Sequence, residues 1–363
     1  MTRVAEKLFK QHRSYSWFTK QLWQSIVCDT QFLDRVRVTP GLVSWSSDLS
    51  HILPIQKLDV TYAVLGVDGS QIYPDAHLEG VECFLINAGG CFLSYGSTSQ
   101  AQLFSEPFVY VPEQCSELAQ TIGFSAELVD VVREEHEFIL MKQKAVLYAS
   151  QTNDLFAALF DGNLLLWHLE SKPSNVKEIL MERYLAPLYE MYQQKIVCAG
   201  YLSAAKSKDI IRLLGSGLQG HKQYAHVTAS LEEMTDAQIL THVLEPFERT
   251  TIFYCSSSIV ELYPPQLKPC FFYLHVGSEI VRIEIPFWVT QMPECVDALA
   301  AMCIDQCAKG YGYPVALAEA HAQAVVQSAD REFFYQLIHR MAANTNQHVR
   351  LSPKSFKKRM MSI

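Results

Sequence analysis

The spacing of apolar positions along the chain switches between two periods, and the switches mark the elements. From residue 3 to 36, aromatic and aliphatic residues recur every three or four positions with basic residues between them, which predicts a helical start. A loop rich in Ser, Pro and Gly follows at "VTPGLVSWSSDLS". Residues 59 to 67, leading into "YAVLGVDGSQIYPD", read as the first strand and stop at Asp68. "GVECFLINAGGCFLSYG" reads as a hairpin of two β-rich runs around Ala-Gly-Gly, and "EPFVYVP" as a further extended piece. Residues 116 to 149 read as helical. "DLFAALFDGNLLLW" is a second buried strand that stops at Asp161, and "NVKEILMERYLAPLYEMYQQ" is a helix with Pro187 as a kink or break. "KIVCAGYLSA" is a strand and "KSKDIIRLLG" opens a helix. Three strand-like runs lie between 250 and 290, and from 294 onward the pattern is mostly helical, ending in the basic tail "KSFKKRMMSI". Strand, hairpin, helix, strand, helix, strand is an α/β order built on a mixed sheet.

The two strand ends carry the first chemical signal. "GVDGS" and "LFDGN" each end an apolar run on Asp-Gly. Ligand sites in open α/β sheets lie beyond the carboxyl ends of the strands. If the two strands are parallel neighbours, Asp68 and Asp161 sit side by side. Two close carboxylates repel, and one takes up a proton unless a cation intervenes. An all-oxygen site suits Mg²⁺ or Mn²⁺. Asp-Gly is also a common turn signal, and that reading stays open at each copy. On the intervening helix, Val131, Glu134, Phe138, Met141 and Ala145 share one stripe, which puts Glu134 on an apolar face. Glu137 lies three residues on, with a salt-bridged surface position beside Arg133 or Lys144 as its alternative.

Two later stretches add candidates. In "GYGYPVALAEAHAQAVV" Pro314 is placed like a first-turn proline, and the helix it starts carries His321 on a small, mostly apolar face. That imidazole could reach a metal or a phosphate, or be a hydrogen-bonded core residue; Tyr313 just before the helix offers a hydroxyl. Lys206 and Lys208 fall in a strand-to-helix loop, a place suited to phosphate contact and equally to solvated lysines.

Composition narrows the class. At 363 residues and 49% hydrophobic content the chain has ample core for one elaborated domain or two, and it is not disordered. The net charge of -8 excludes a global basic field for nucleic acid, so any such contact rests on local patches. Ten cysteines without a C-x-x-C pair read as reduced core thiols of a cytoplasmic protein; Cys303 and Cys307, one helical turn apart, are a weak redox or metal hint. The N-terminus has no long apolar stretch of the secretory kind, and the longest apolar runs carry charges every few residues, so no membrane span is expected.

Taken together, "GVDGSQ", "REEHEF", "LFDGNLL", "AGYLSAAKS" and "YGYPVALAEAHAQAV" resemble, in order, the motifs of the NurA nuclease family over roughly residues 60 to 330. The resemblance implies a ribonuclease H-like mixed-sheet core with flanking helices, arranged as an N-terminal helical segment (1–56), a nuclease core (57–330) and a C-terminal helix with a basic tail (331–363). It implies a divalent-metal-dependent DNA nuclease, usually with Mn²⁺ or else Mg²⁺, acting on single strands and ends with a 5′-to-3′ preference. It also implies a homodimer that works with a hexameric HerA-type ATPase in DNA end processing. By position, Asp68 and Asp161 would be metal ligands; Glu137 ranks before Glu134 as the third. His321 would be a late ligand or phosphate contact, with Lys206 and Tyr313 toward the substrate. Two other readings remain at this stage: a catalytically silent adaptor that binds the ATPase, and a metal-dependent phosphohydrolase acting on RNA or nucleotides.

Overall fold

In a computed structural model of the chain, Asp68 lies within a strand, four residues before its end. The structure describes residues 17–58, 61–74, 78–79, 82–96, 99–152, 154–220, 222–224, 227–228, 231, 233–344 and 350–351. The first part of the expected N-terminal helix (3–16) and the basic tail (354–363) lie outside the described residues. The main elements, in chain order, are α1 (Lys20–Val27), α2 (Thr30–Val38), β1 (Tyr62–Ile72), β2 (Phe84–Tyr95), β3 (Gln100–Tyr110), α3 (Ala126–Ala149) and β4 (Leu155–Asp161). They continue with α4 (Ser174–Gln193), β5 (Val197–Leu202), α5 (Asp209–Leu218), β6 (Pro269–His275), β7 (Ile280–Pro286), α6 (Pro293–Lys309), α7 (Val315–Ala324) and α8 (Ser328–Asn344). Among the described residues, no helix is long and apolar enough to cross a membrane. The ten cysteines are free and most are buried.

The chain divides into two compact units. One, called here the Asp68 unit, takes its described residues from 61–161, 168–197 and 316–351; the other, the Arg282 unit, takes them from 17–58, 162–167 and 198–315.

In the Asp68 unit, β1 pairs antiparallel with β2 along its whole length, from Tyr62 opposite Tyr95 to Ile72 opposite Leu85. β2 continues antiparallel to β3, and β4 lies parallel to β1 on its other side, Tyr62 beside Leu155 through Val67 beside Phe160. The order β3-β2-β1-β4, an antiparallel meander flanked by a parallel strand, is that of a ribonuclease H-like sheet. Period-two alternation assigns the faces. Toward one face, Phe92 stacks on Tyr148 of α3 at 4.1 Å between ring centroids, and Phe138 of α3 packs on Phe160 and Tyr184. Toward the other, Gly66, Asp68 and Ser70 of β1 and Asn87 and Gly89 of β2 all meet α7.

The expected hairpin at Ala-Gly-Gly is therefore corrected: residues 84 to 95 form one straight strand whose hairpin partner is β3. The glycines do not turn the chain. A Cβ on Gly89 would overlap the backbone at Ala324, and one on Gly66 would overlap the Ala316 carbonyl. They are the residues over which the α7 backbone comes closest to the sheet. Asn87 Nδ2 donates to the carbonyls of Gln323 (3.0 Å) and Ala324 (2.8 Å), and Ser70 Oγ donates to Ala324 O and accepts from the Val326 amide at 3.2 Å. These bonds satisfy carbonyls that a helix end leaves without partners. β1 likewise does not stop at Asp68 but runs to Ile72, because β2 continues to pair with it. Pro187 sits buried inside α4, which continues past it, and the expected helix over 116–149 breaks at Gly123 (φ 75°).

The Arg282 unit is built on β6 and β7, antiparallel from Pro269 opposite Pro286 to His275 opposite Ile280, with β5 antiparallel to β7. Its apolar cluster joins Trp23, Phe32, Ile210, Leu214, Phe253 and Phe271. The expected N-terminal helix is interrupted: Asp29 accepts from the Gln31 amide at 2.8 Å and starts α2 as its N-cap.

Alanine at Gly89 is expected to force α7 off the sheet and lower stability by roughly 1–3 kcal/mol, the usual cost of overpacking. Gly215 lies in α5, and a Cβ there meets nothing within 4 Å. Gly215→Ala should instead gain roughly 0.4–1 kcal/mol by restricting the unfolded chain. Thermal unfolding of the two variants checks both signs.

Candidate active site

The site is assembled on β1, four residues before its end, and on the last residue of β4. Their parallel register pairs Val67 with Phe160, so Asp68 and Asp161 follow at equivalent positions of neighbouring strands. The parallel arrangement expected for the two Asp-Gly segments is the one observed, although neither is a tight turn in the way the local signal suggests. Asp68 is largely buried, with 16% of its side chain exposed. Its Oδ1 accepts from the Gly69 amide at 2.8 Å, and its Oδ2 lies 2.7 Å from Nδ1 of His321 on α7. His321 is 64% exposed and is not a core residue. With Nδ1 turned to the carboxylate, Nε2 is the nitrogen left for a ligand. Asp161 is exposed at the end of β4.

α3 brings the glutamates to the opposite face of β1. Gly69 has no side chain, and Glu137 Oε1 occupies the space that a Cβ there would need. The alternative considered for Glu137 is present too, since it is ion-paired to Arg133 one turn earlier; Lys144 pairs instead with Glu106 at 2.7 Å. Glu134 is half-buried and lies 3.1 Å from Nε2 of His168. Desolvation pushes the Glu137 carboxyl up to about 8; Arg133 opposes this, while Asp68 and Glu134 add to it. Burial pulls Arg133 down, but Glu137, Glu134 and Asp130 outweigh it and hold the guanidinium above its ordinary value.

The Asp68 unit thus collects Asp68, Asp161, Glu134, Glu137 and His321. Among the described residues no group of three His, Cys, Asp or Glu side chains is already drawn together tightly enough to hold a metal ion. The carboxylates are instead engaged in pairs: Asp68 with His321, Glu137 with Arg133, Glu134 with His168. The donor set still fits a hard divalent cation. It is rich in carboxylate oxygen, and burial, with Asp68 and Glu134 adding to it, raises the proton affinity of Glu137.

Lys206 and Tyr313 belong to the Arg282 unit. Lys206 is exposed in the loop between β5 and α5; Tyr313 packs edge-on against Tyr201 at 5.6 Å. The α5 amides that could have received a phosphate are already taken. The N–H groups of Asp209, Ile210 and Ile211 all donate to the buried Asp236, at 2.8, 3.2 and 2.9 Å. Sequence reasoning missed His168 and the Asn87–Ser70 cap on α7. A single exposed histidine after a strand leaves no periodic trace, and a capping side chain is recognised only when its distant helix end is known.

A ribonuclease H-like sheet with aspartates level on two neighbouring parallel strands defines the class of fold. Residues 62–326 match the NurA domain, and the chain belongs to that family. Its structure is similar to the crystal structure of the NurA nuclease from Sulfolobus solfataricus at 12% identity, with a TM-score of 0.51 and coverage of 95% of this chain and 98% of that one. A crystal structure of NurA with manganese aligns at 12% identity and a TM-score of 0.44, covering 93% of this chain and 97% of that chain. No curated protein matches the sequence.

A carboxyl whose pKa is raised on folding binds its proton more tightly in the folded chain. The resulting stabilisation is full below the ordinary value of 4.5 and is lost as pH rises through about 8. Glu137→Gln carries no such proton. Its stability relative to wild type should therefore rise across that window, by up to a few kcal/mol at ~1.4 kcal/mol per pKa unit. Denaturant unfolding at both ends of the window reads the change; a constant difference would contradict the burial described.

Proposed function

We propose that this NurA-family chain is a divalent-metal-dependent DNA nuclease that cleaves single strands internally and digests ends 5′ to 3′. The observation that carries this reading is the level placement of Asp68 and Asp161 on adjacent parallel strands, with Glu137 set against Gly69 on the other face. Asp68, Asp161 and Glu137 would hold the ion, Mn²⁺ or Mg²⁺, and Glu134 is the further carboxylate within the group. A bound ion supplies Lewis-acid activation of water and neutralises charge on the leaving oxygen.

The chain's own residues do the rest. Asp68 fixes the His321 ring through Nδ1, so that Nε2 can contact a phosphate oxygen or move a proton at that atom. Arg133 balances Glu137 until a cation takes over that role. Lys206 contributes positive charge toward the substrate backbone, and Tyr313 is kept as a substrate-side hydroxyl. The core at 57–330 would work as a homodimer with a hexameric HerA-type ATPase in DNA end processing. Such a partner would deliver DNA to a chain whose net charge of -8 does not attract it.

One observation favours a second reading, a catalytically silent adaptor for the ATPase: Asp68, Glu137 and Glu134 each already have a basic partner in the chain. One assay separates the two. Purified protein with Mn²⁺ should degrade labelled single-stranded DNA in preference to single-stranded RNA or a free nucleotide. Asp68→Ala and Asp161→Ala should each lower the rate on the order of a thousandfold, as losing several kcal/mol of ion stabilisation implies. Digestion by either variant at the wild-type rate removes the nuclease reading; no digestion and no Mn²⁺-dependent thermal shift in the wild type favours the adaptor.

A further inference from the structure

In the Arg282 unit, the three residues before Trp167 are held with unusual completeness. The amides of Leu164 and Leu165 donate to Glu284 Oε2 at 2.8 and 3.0 Å. The Leu166 amide donates to the Tyr263 hydroxyl at 3.0 Å, and that hydroxyl donates to the Leu164 carbonyl at 2.8 Å. All three leucines are buried, and Glu284 is itself fixed by Arg282 Nε at 2.9 Å. The next side chain, Trp167, is nevertheless 37% exposed. A large aromatic ring is thus presented to solvent from a rigid base.

That ring lines a cavity of about 560 Å³ together with Asn163, Lys206, Lys208 and Arg212. The opposite wall, the loop between β5 and α5, is also pinned. The Ala204 amide donates to Glu279 at 2.9 Å, and the Ser207 carbonyl accepts from the Asp236 amide at 2.9 Å. The acidic wall residue, Asp209, is offset by two arginines: Oδ2 lies 2.5 Å from Arg282 and Oδ1 3.8 Å from Arg212. Lys206 and Lys208, with Arg212 shared with Asp209, thus stand beside an exposed indole in a chain that is acidic as a whole. With the α5 amides bound to Asp236, an anion here would be read by side chains.

We infer that this cavity binds one nucleotide of a single-stranded nucleic acid, its base stacked on Trp167 and its backbone phosphates on Lys206, Lys208 and Arg212. The volume falls in the range of small-ligand pockets. Stacking on an aromatic ring beside basic side chains is how single strands are held without sequence preference. Bases inside a duplex are already stacked and cannot present a face to the indole. Trp167 and Asn163 follow Asp161 within six positions of sequence. The role as a substrate subsite rests on the nuclease reading, but the binding can be measured without catalysis.

The test uses the full chain in EDTA with a fluorescein-labelled oligothymidylate of about 12 nucleotides, within the span one such groove covers. Anisotropy should show that Trp167→Ala weakens binding about tenfold, that Trp167→Phe stays within about threefold of wild type, and that a duplex of the same length is unaffected by either, as loss of one base–aromatic stack implies. An oligonucleotide series with an abasic site moved one position at a time should weaken wild-type binding at one position and leave the alanine variant unchanged. Wild-type affinity in the alanine variant, or equal losses for single strand and duplex, overturns the inference. So does a phenylalanine variant that melts like wild type yet binds as weakly as alanine. Cleavage with Mn²⁺ distinguishes the two proposals. A wild type that cleaves while Trp167→Ala binds normally sinks the cavity and spares the nuclease reading; a wild type that never cleaves but binds through Trp167 does the reverse.

Discussion

The close approach of α7 to β1 and β2 is the contact on which the site depends. It exists because two positions on the facing strands, Gly66 and Gly89, have no side chain, and because Asn87 and Ser70 satisfy the carbonyls at the end of the helix. Backbone held against backbone leaves little freedom along the sheet normal. A helix spaced by ordinary side chains would stand farther off, since a Cβ at Gly66 or Gly89 would overlap its backbone. At the shorter spacing His321 meets Asp68 at hydrogen-bond distance while most of its ring stays in solvent.

The same economy of side chains works on the other face. Glycine at 69 makes room for Glu137, and the carboxylate that enters is poorly solvated and close to Asp68 and Glu134. Its raised proton affinity comes first from that burial, with Asp68 and Glu134 adding to it. Arg133 offsets that charge, and His168 and His321 each lie at hydrogen-bond distance from one of the carboxylates. How strongly such a carboxylate holds its proton is set by burial as much as by the number of neighbouring carboxylates.

The Arg282 unit solves a different problem with similar chemistry. Arg282 is almost fully buried, lies over the Phe271 ring at 3.6 Å, and bonds Asp209 and Glu284. Removing one partner from such a network would leave a buried charge uncompensated, which costs far more than a surface pair is worth. Here the network also reaches backbone, since Glu284 holds the segment that follows Asp161 and Gly162 in sequence. Its consequence is the fixed presentation of Trp167.

Local sequence determined a good part of this protein. The apolar runs of β1, β4, β6 and β7, the helices α3 to α7 and the α/β order are written in short-range periodicity, because burial of one face demands it. The two Asp-Gly segments, the α3 glutamates and the "YP…AH" motif are legible for the same reason, and they carry the resemblance to the NurA family. Tertiary structure decided what short-range pattern cannot carry. Gly89 and Gly90 look like a turn until a helix more than two hundred residues away is seen to need the space at Gly89. Glu134 lies on the apolar stripe, yet Glu137 is the residue that fills the space at Gly69 beside Asp68 in sequence, because that gap lies on another element. The partners of Asp236, the Asp209 partner of Arg282 and the amides held by Glu284 are likewise distant in sequence. Period and propensity act over a few residues; close approach, charge crowding and cap satisfaction act between elements, and only the folded chain brings those together.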